Sequence, residues 1–299
     1  MWIHVALLAL TLFTTTLVGG RYAWDFLLNQ APFSDDYLDG LWAVLSSPSR
    51  LWAGLPFSLT LIGILMAHEM GHFVACRFYR VDASWPYFLP VPTPVGTMGA
   101  FIKIRSPILS RAALFDIGIA GPLAGFLLVL PALAVGLAYS KVIPGIGADG
   151  LFLFSEPVAQ RALASLILPG VSGQDIYLHP VARAAWVGML ATALNLLPIG
   201  QLDGGHILYV FAGEKHQTIS RLVAAGLFAM GLGLWYAAGH ASWVAWAVVL
   251  WFLGMRHPVI EDRETPGAGR VALAVLAAFI FVVTFSVVPL SMAGWADPE

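Results

Sequence analysis

Charge is scarce in this chain. Only 11% of its 299 residues are Asp, Glu, Lys or Arg, against 59% that are hydrophobic. A soluble globular chain carries about 25% charged residues, so an ordinary water-soluble enzyme is excluded, and so is a disordered tail. Cysteine is nearly absent, and Cys76 stands alone. A single cysteine forms no internal disulfide, and no CxxC pair is present. A basic surplus is lacking too: 15 Lys and Arg face 17 Asp and Glu, a net charge of −2. The chain therefore offers no electrostatic footprint for nucleic acid. Internal repeats and low-complexity tracts are also missing, and the two halves do not match as those of an inverted-repeat transporter would.

What is present is apolar sequence in long runs, with a mean hydropathy of +0.81. The runs are Trp2–Val18, Trp52–Cys76, Ala112–Tyr139, a short Ala184–Leu197, Leu222–Ala238, Ala241–Gly254 and Val271–Leu290. A spanning helix needs about 20 apolar residues. The expected fold is an all-α polytopic membrane protein with about seven transmembrane helices in a lipid bilayer. The first run has only His4 in its leading segment and no small-residue cleavage pattern better than Val18-Gly19-Gly20, so it reads as a retained anchor rather than a signal peptide. Ten basic residues (Arg77, Arg80, Lys103, Arg105, Arg111, Lys215, Arg221, Arg256, Arg263 and Arg270) fall on one side of these runs and five (Arg21, Arg50, Lys141, Arg161 and Arg183) on the other. The positive-inside rule makes the first side, and the N-terminus, cytoplasmic. Gly19–Arg50 is then an acidic outer loop, and Trp2, Trp52, Trp186, Trp235 and Trp243 are expected at the interfaces.

Residues 85–105 stand apart. Pro86, Pro90, Pro92 and Pro94 forbid a helix. Gly96 and Gly99 are expected to bracket a turn, and Ala100 to Ile104 reads as a short strand. Bare backbone is prohibitive in lipid, so this apolar segment is expected to be buried in protein or to line a cavity, the alternative being a plain cytoplasmic loop.

The chemistry lies in His68-Glu69-Met70-Gly71-His72. On a helix the two histidines lie one turn apart on one face and can share a zinc ion, with Glu69 placed as general base. His72 is about 8 Å along the helix from Arg77, so these groups lie inside the bilayer near its cytoplasmic face. Ionisable groups there are costly and mark function. Catalytic zinc takes three protein ligands and keeps one position open. The third is expected to be a carboxylate, Asp203 or Asp116. Asp203 is the better candidate: it follows Pro198 and Gly200 and precedes Gly204 and Gly205, where a span breaks and exposes its groups to an internal cavity. Asp116 is expected to be structural, capping a helix or paired with Arg111. Cys76 reads as an apolar filler, His206 as a neighbour of Asp203 or a surface residue. His179, His216, His240 and His257 read as solvated, and Gly63, Gly118, Gly121 and Gly125 as helix-packing sites.

His68-Glu-Met-Gly-His72 in the second run and Asn195-Leu-Leu-Pro-Ile-Gly-Gln-Leu-Asp203-Gly-Gly in the fourth, with Ala120-Gly-Pro-Leu-Ala-Gly125 between them, resemble the site-2 protease family of intramembrane zinc metalloproteases. The resemblance covers about Leu51 to Phe211. It implies one Zn2+ per chain on His68, His72 and Asp203, with Glu69 as catalytic acid/base and Asn195 stabilising the oxyanion. It also implies a transmembrane protein substrate met by a membrane-associated β-hairpin near 85–105, with Gly99, Ala100, Phe101 and Ile102 in contact. The implied organisation is an anchor span and outer loop at 1–50, a catalytic core at 51–211 and additional spans at 212–299. No loop here has room for the PDZ or CBS domains of many members, which suggests a compact bacterial-type protein of the plasma membrane. Nothing in the residues bears on oligomeric state. Two rivals are a membrane protease whose third ligand is a downstream Glu, and a non-proteolytic metal-binding protein or transporter. The first needs a glutamate within a span, and Glu156, Glu214, Glu261 and Glu264 all fall outside the runs. The second needs ionisable groups along several spans.

Overall fold

The structure is a computed structural model describing residues 2–33, 36–91, 93–146, 152–240, 242–252, 260, 262 and 264–292. These are mostly helical, with three two-stranded sheets. Four stretches are long and apolar enough to cross a membrane: Trp2–Leu28, Pro48–Phe78, Arg111–Ala138 and Asp203–Ala237. Shorter apolar helices cover Val158–Ile167, Ser242–Trp251 and Ala268–Thr284. The fourth expected span is a 16-residue helix, Pro180–Asn195, too short to cross alone. The ends of the sixth run, Ala241 and Gly254, lie outside the described residues, as does His257.

Helix α1 (Trp2–Leu28) continues past Val18 through residues expected in a loop. Arg21 and Asp25 permit this because they pair across one helical turn at 2.9 Å, and both are buried. A buried charge is tolerated when it is paired and hydrogen-bonded, and Asp25 also accepts the Phe33 N–H at 3.1 Å. Two short helices unforeseen in the sequence follow, α2 (Tyr37–Leu45) and α3 (Pro48–Ala53). The Asp36 carboxylate caps α2 by accepting from the Leu38 and Asp39 N–H groups.

Helices α4 (Leu55–Phe78), α5 (Arg111–Ala138) and α7 (Pro180–Asn195) form the central bundle. Leu61 and Ile64 of α4, Leu133 and Leu137 of α5, and Trp186 and Met189 of α7 share one core with Val18 and Tyr22 of α1. Glycines let these helices approach closely: Gly136 lies on the Ala182 backbone and Gly188 on Ile64 and Val129. Gly63, by contrast, faces open space and packs nothing. Trp186 and Trp243 are also core residues rather than interfacial anchors, at 2% and 1% exposure, whereas Trp2, Trp52 and Trp235 are exposed.

Strands β1 (Tyr87–Pro90) and β2 (Thr97–Phe101) form an antiparallel hairpin between α4 and α5. It lies along α1. His4 Nδ1 is 3.2 Å from the Pro86 carbonyl, Thr14 donates to the Gly96 carbonyl at 2.7 Å, and Tyr22 donates to the Pro94 carbonyl at 2.9 Å. From His4 to Tyr22 is about 27 Å of helix, close to the thickness of a hydrocarbon core. The segment is thus packed along α1, with Pro86, Phe88, Gly96 and Thr97 buried and Trp85, Met98 and Phe101 exposed. The segment is a hairpin rather than an irregular loop. One detail differs from expectation: Gly96 is in the turn (φ +81°), but Gly99 (φ +96°) is inside the strand, which begins at Thr97.

Beyond α5, β3 (Lys141–Val142) pairs with β5 (Ile176–Tyr177), and β4 (Phe152–Phe154) with β6 (Leu290–Met292). Helix α6 (Val158–Ile167) lies between β4 and β5. The chain closes with α8 (Asp203–Ala212), α9 (His216–Ala238), α10 (Ser242–Phe252) and α11 (Ala268–Thr284). Gly213 (φ +53°) separates α8 from α9. Helix α9 then runs back past the α7–α8 turn, where Ser220 Oγ accepts the Gly200 N–H.

Candidate metal centre

Helix α4 carries His68, Glu69 and His72 on its buried length, at 5%, 4% and 7% exposure. The third group arrives from a broken span. Helix α7 stops at Asn195, residues 196–202 turn with Gly200 at φ +57°, and Asp203 opens α8. The glycines after Asp203 are what let this turn close. A Cβ at Gly204 would strike the Leu196 carbonyl, and one at Gly205 the Gly200 carbonyl. Leu-Asp-Gly-Gly is therefore a steric requirement of the fold as well as a ligand motif.

His68 Nε2 is 3.1 Å from Asp203 Oδ2, His72 Nε2 is 3.3 Å from Asp203 Oδ1, and the two Nε2 atoms are 3.2 Å apart. A tetrahedral zinc site with bonds of about 2.0–2.1 Å has donor–donor edges of about 3.3–3.4 Å. Two imidazoles and a carboxylate at these separations fit zinc in both chemistry and spacing, and all three donors fall within one cluster 4.8 Å across.

Helix α5 sets the orientation of both rings. The Ile117 carbonyl accepts from His72 Nδ1 at 2.7 Å, which leaves Nε2 as the ligand atom. Gly121 lies under the His72 ring, where any Cβ would overlap it, and Gly125 lies against His68. Gly118 meets the Cβ of His206, which packs on α5. On this bare face Gly121 and Gly125 admit the two ligand imidazoles, and Gly118 admits α8 at His206. Their three- and four-residue spacing marks one helix face in the sequence. The Ile117 carbonyl, a main-chain atom, leaves no such signal.

Asn195 Nδ2 is 3.2 Å from His68 Nε2, so the last residue of α7 borders the cluster. The Ile102 backbone N–H, just past β2, lies near the Glu69 carboxylate. Strand β2 packs on α4, so the hairpin lies beside the centre. Gly99 faces open space, and Phe101 is exposed.

Asp116 is elsewhere. Arg270 of α11 grips it with two hydrogen bonds at 2.9 and 2.7 Å, and Tyr79 donates to it as well. Its expected partner, Arg111, instead reaches the Val210 carbonyl at 3.4 Å. Nothing local in the sequence marks Arg270 as the partner, 154 residues away. Cys76 is fully buried among Phe73, Val81 and Ile117. Two histidines expected to be solvated are not: His179 caps α7 by accepting the Val181 N–H, and His216 is 2% exposed.

A buried His–His–Asp donor set with an adjacent glutamate is thus assembled from α4 and the broken α7–α8 segment, against the glycine face of α5. The sequence profile of peptidase family M50 matches residues 56–237, and the chain belongs to that family, the site-2 proteases. It is 31% identical over 274 residues to "Probable zinc metalloprotease EGY2, chloroplastic" of Arabidopsis thaliana, covering 90% of this chain and 47% of that protein. It is 33% identical over 241 residues to "Probable zinc metalloprotease EGY1, chloroplastic" of the same plant, covering 78% and 42%. A rice protein named "Probable zinc metalloprotease EGY3, chloroplastic" is 27% identical over 94% of this chain and 47% of its own length. The chain thus spans about half the length of the curated relatives it matches.

Proposed function

We propose that this protein is a zinc-dependent intramembrane endopeptidase that hydrolyses a peptide bond in or near a transmembrane segment of a membrane protein, in regulated intramembrane proteolysis. The observation that carries the reading is the convergence of His68, His72 and Asp203 on one point beside buried Glu69. These three residues hold one Zn2+. When bound, zinc acts as a Lewis acid that lets water attack at neutral pH. Glu69, adjacent to His68 and free of the ligand set, accepts the proton of the attacking water and returns it to the leaving amine. The Asn195 amide donates to the carbonyl oxygen as it gains charge.

A substrate helix hides its carbonyls in its own i→i−4 hydrogen bonds, so the segment to be cut must unwind. The outer edge of β2 supports a place for it. Lys103 C=O accepts from Ser84 N–H and Arg105 N–H donates to Asp82 C=O, so odd-numbered residues face the partner strand. Ala100 and Ile102 therefore offer their N–H groups to the opposite edge, which passes near Glu69 at Ile102. An unwound segment adding to Gly99, Ala100, Phe101 and Ile102 would be led to the catalytic carboxylate.

The organisation follows as anchor span and outer loop at 1–50, catalytic core at 51–211 and additional spans at 212–299. Counting α7 and α8 together as one crossing gives seven crossings with α1, α4, α5, α9, α10 and α11. The pairing of β6 with β4 supports that count, since it joins the end of α11 to the α5–α7 connection. The N-terminus then faces the cytoplasm of a bacterial plasma membrane, with the centre nearer that side. With Arg21 and Arg183 buried in helices, only Arg50, Lys141 and Arg161 remain in the outer segments. A transporter reading finds less support, because the metal-capable groups among the described residues form a single cluster.

The test is cleavage of a transmembrane protein substrate co-reconstituted with the protein in liposomes. A zinc chelator should abolish it and added zinc should restore it. Cleavage that persists under chelation overturns the reading.

A further inference from the structure

Near the N-terminal end of α7, the end away from the metal centre, lies a cavity of about 990 Å³, at the upper end of the range for small-molecule sites. Its wall includes Arg183 of α7, twelve residues before Asn195, which places the two about 18 Å apart along the helix. Arg183 is 6% exposed, and its guanidinium is fixed between two rings, 4.1 Å from the centroid of Phe154 and 5.6 Å from that of Tyr22. Among the described residues no carboxylate pairs with it and no acceptor hydrogen-bonds it. Aromatic faces attract a cation, but they leave its five N–H donors unused. A buried arginine without an anion is costly, and this one borders the cavity.

The rest of the wall suits an amphiphile. Arg161 adds a second positive charge, and Phe154, Val158, Phe285 and Val287 supply apolar surface. Val158 and Val287 are 43% and 53% exposed, so the apolar rim continues outward. Helix α6 begins at Val158 behind Pro157 with no side-chain cap, which leaves its first N–H groups available to an anion. The one acidic group in the wall among the described residues, Glu156, has its pKa raised by burial, with Arg161 acting against that shift.

We propose that this cavity binds a phosphate group through the Arg183 guanidinium, either on the headgroup of an anionic phospholipid or as free phosphate. The planar guanidinium fork matches phosphate oxygens two at a time. An apolar rim at the end of membrane helices favours the lipid as the source.

Purified full-length protein in detergent would be titrated with dihexanoyl phosphatidylglycerol, with dihexanoyl phosphatidylcholine and with inorganic phosphate, and binding read by calorimetry. Saturable binding of phosphatidylglycerol, at least tenfold tighter than phosphatidylcholine and weakened at least tenfold in Arg183→Gln, is expected. Binding of inorganic phosphate with the same loss in Arg183→Gln supports the site and assigns the source to free phosphate. Should Arg183→Gln fail to fold, Val158→Trp on the exposed rim fills the cavity without touching Arg183, and it should abolish binding. Absence of binding by every probe, or wild-type binding in whichever variant folds, overturns the proposal.

Discussion

Gly121 and His72 occupy one another's space: the imidazole lies where a side chain at 121 would begin. The glycine of the Gly-Pro element is therefore part of the metal centre, although it offers no ligand. Gly121→Ala should push the ring away from Asp203 and lower zinc affinity by about 10–100-fold, the range seen when ligand orientation is lost. Gly125→Ala should cost less, because a Cβ there would stand 3.2 Å from the His68 Cβ and need only a small shift. Zinc titration of both variants against a competing chelator checks the order. Equal affinities in Gly121→Ala and wild type would break the link between α5 and the ring.

The edge of β2 can be probed without disturbing its pairing. Ala100→Pro removes an N–H on the outer edge, and proline is tolerated at such positions. Zinc content should be unchanged, while cleavage of a transmembrane substrate falls about 5–10-fold, the weight of one hydrogen bond. A short soluble peptide, already unwound, should lose less. Unchanged cleavage of the membrane substrate, with zinc bound, would reduce the hairpin to a connector.

Asp116 ties α5 to α11 through Arg270, at 27% and 31% side-chain exposure. Asp116→Asn should lower stability by about 1–2 kcal/mol, discounted for partial exposure. Its zinc content should remain that of wild type. Thermal denaturation alongside metal analysis separates the two effects. Zinc loss in a folded Asp116→Asn would make this carboxylate a ligand and displace Asp203.

Cys76 is fully buried, so the wild-type thiol is silent to polar reagents. Arg161→Cys and Lys215→Cys should then label from opposite sides of sealed vesicles. Labelling from the same side would contradict the seven-crossing arrangement.

What the sequence discloses is what is local. His68-Glu-Met-Gly-His72 declares a shared face by spacing alone. The prolines of 85–105 rule out helix, and Pro198 with Gly200 announces the broken span that delivers Asp203. What escapes is set by partners distant in the chain. Arg21 and Asp25 look like loop residues until each is seen to neutralise the other on α1. Trp186 and Trp243 resemble interfacial anchors, yet Trp186 donates to the Ser155 carbonyl and Trp243 to the Val287 carbonyl inside the protein. Asp116 offers no hint that Arg270 is its partner, and the carbonyl that orients His72 belongs to an isoleucine.

The central claim is that His68, His72 and Asp203 hold zinc while Glu69 works beside it without being a ligand. Metal analysis and substrate cleavage on the same preparations of Glu69→Gln and Asp203→Ala test this most directly. Glu69→Gln should retain about one zinc per chain and lose about 10²–10⁴-fold in cleavage, the contribution of a general base. Asp203→Ala should lose both. A Glu69→Gln variant that cleaves normally, or an Asp203→Ala variant that keeps its zinc, would contradict the account.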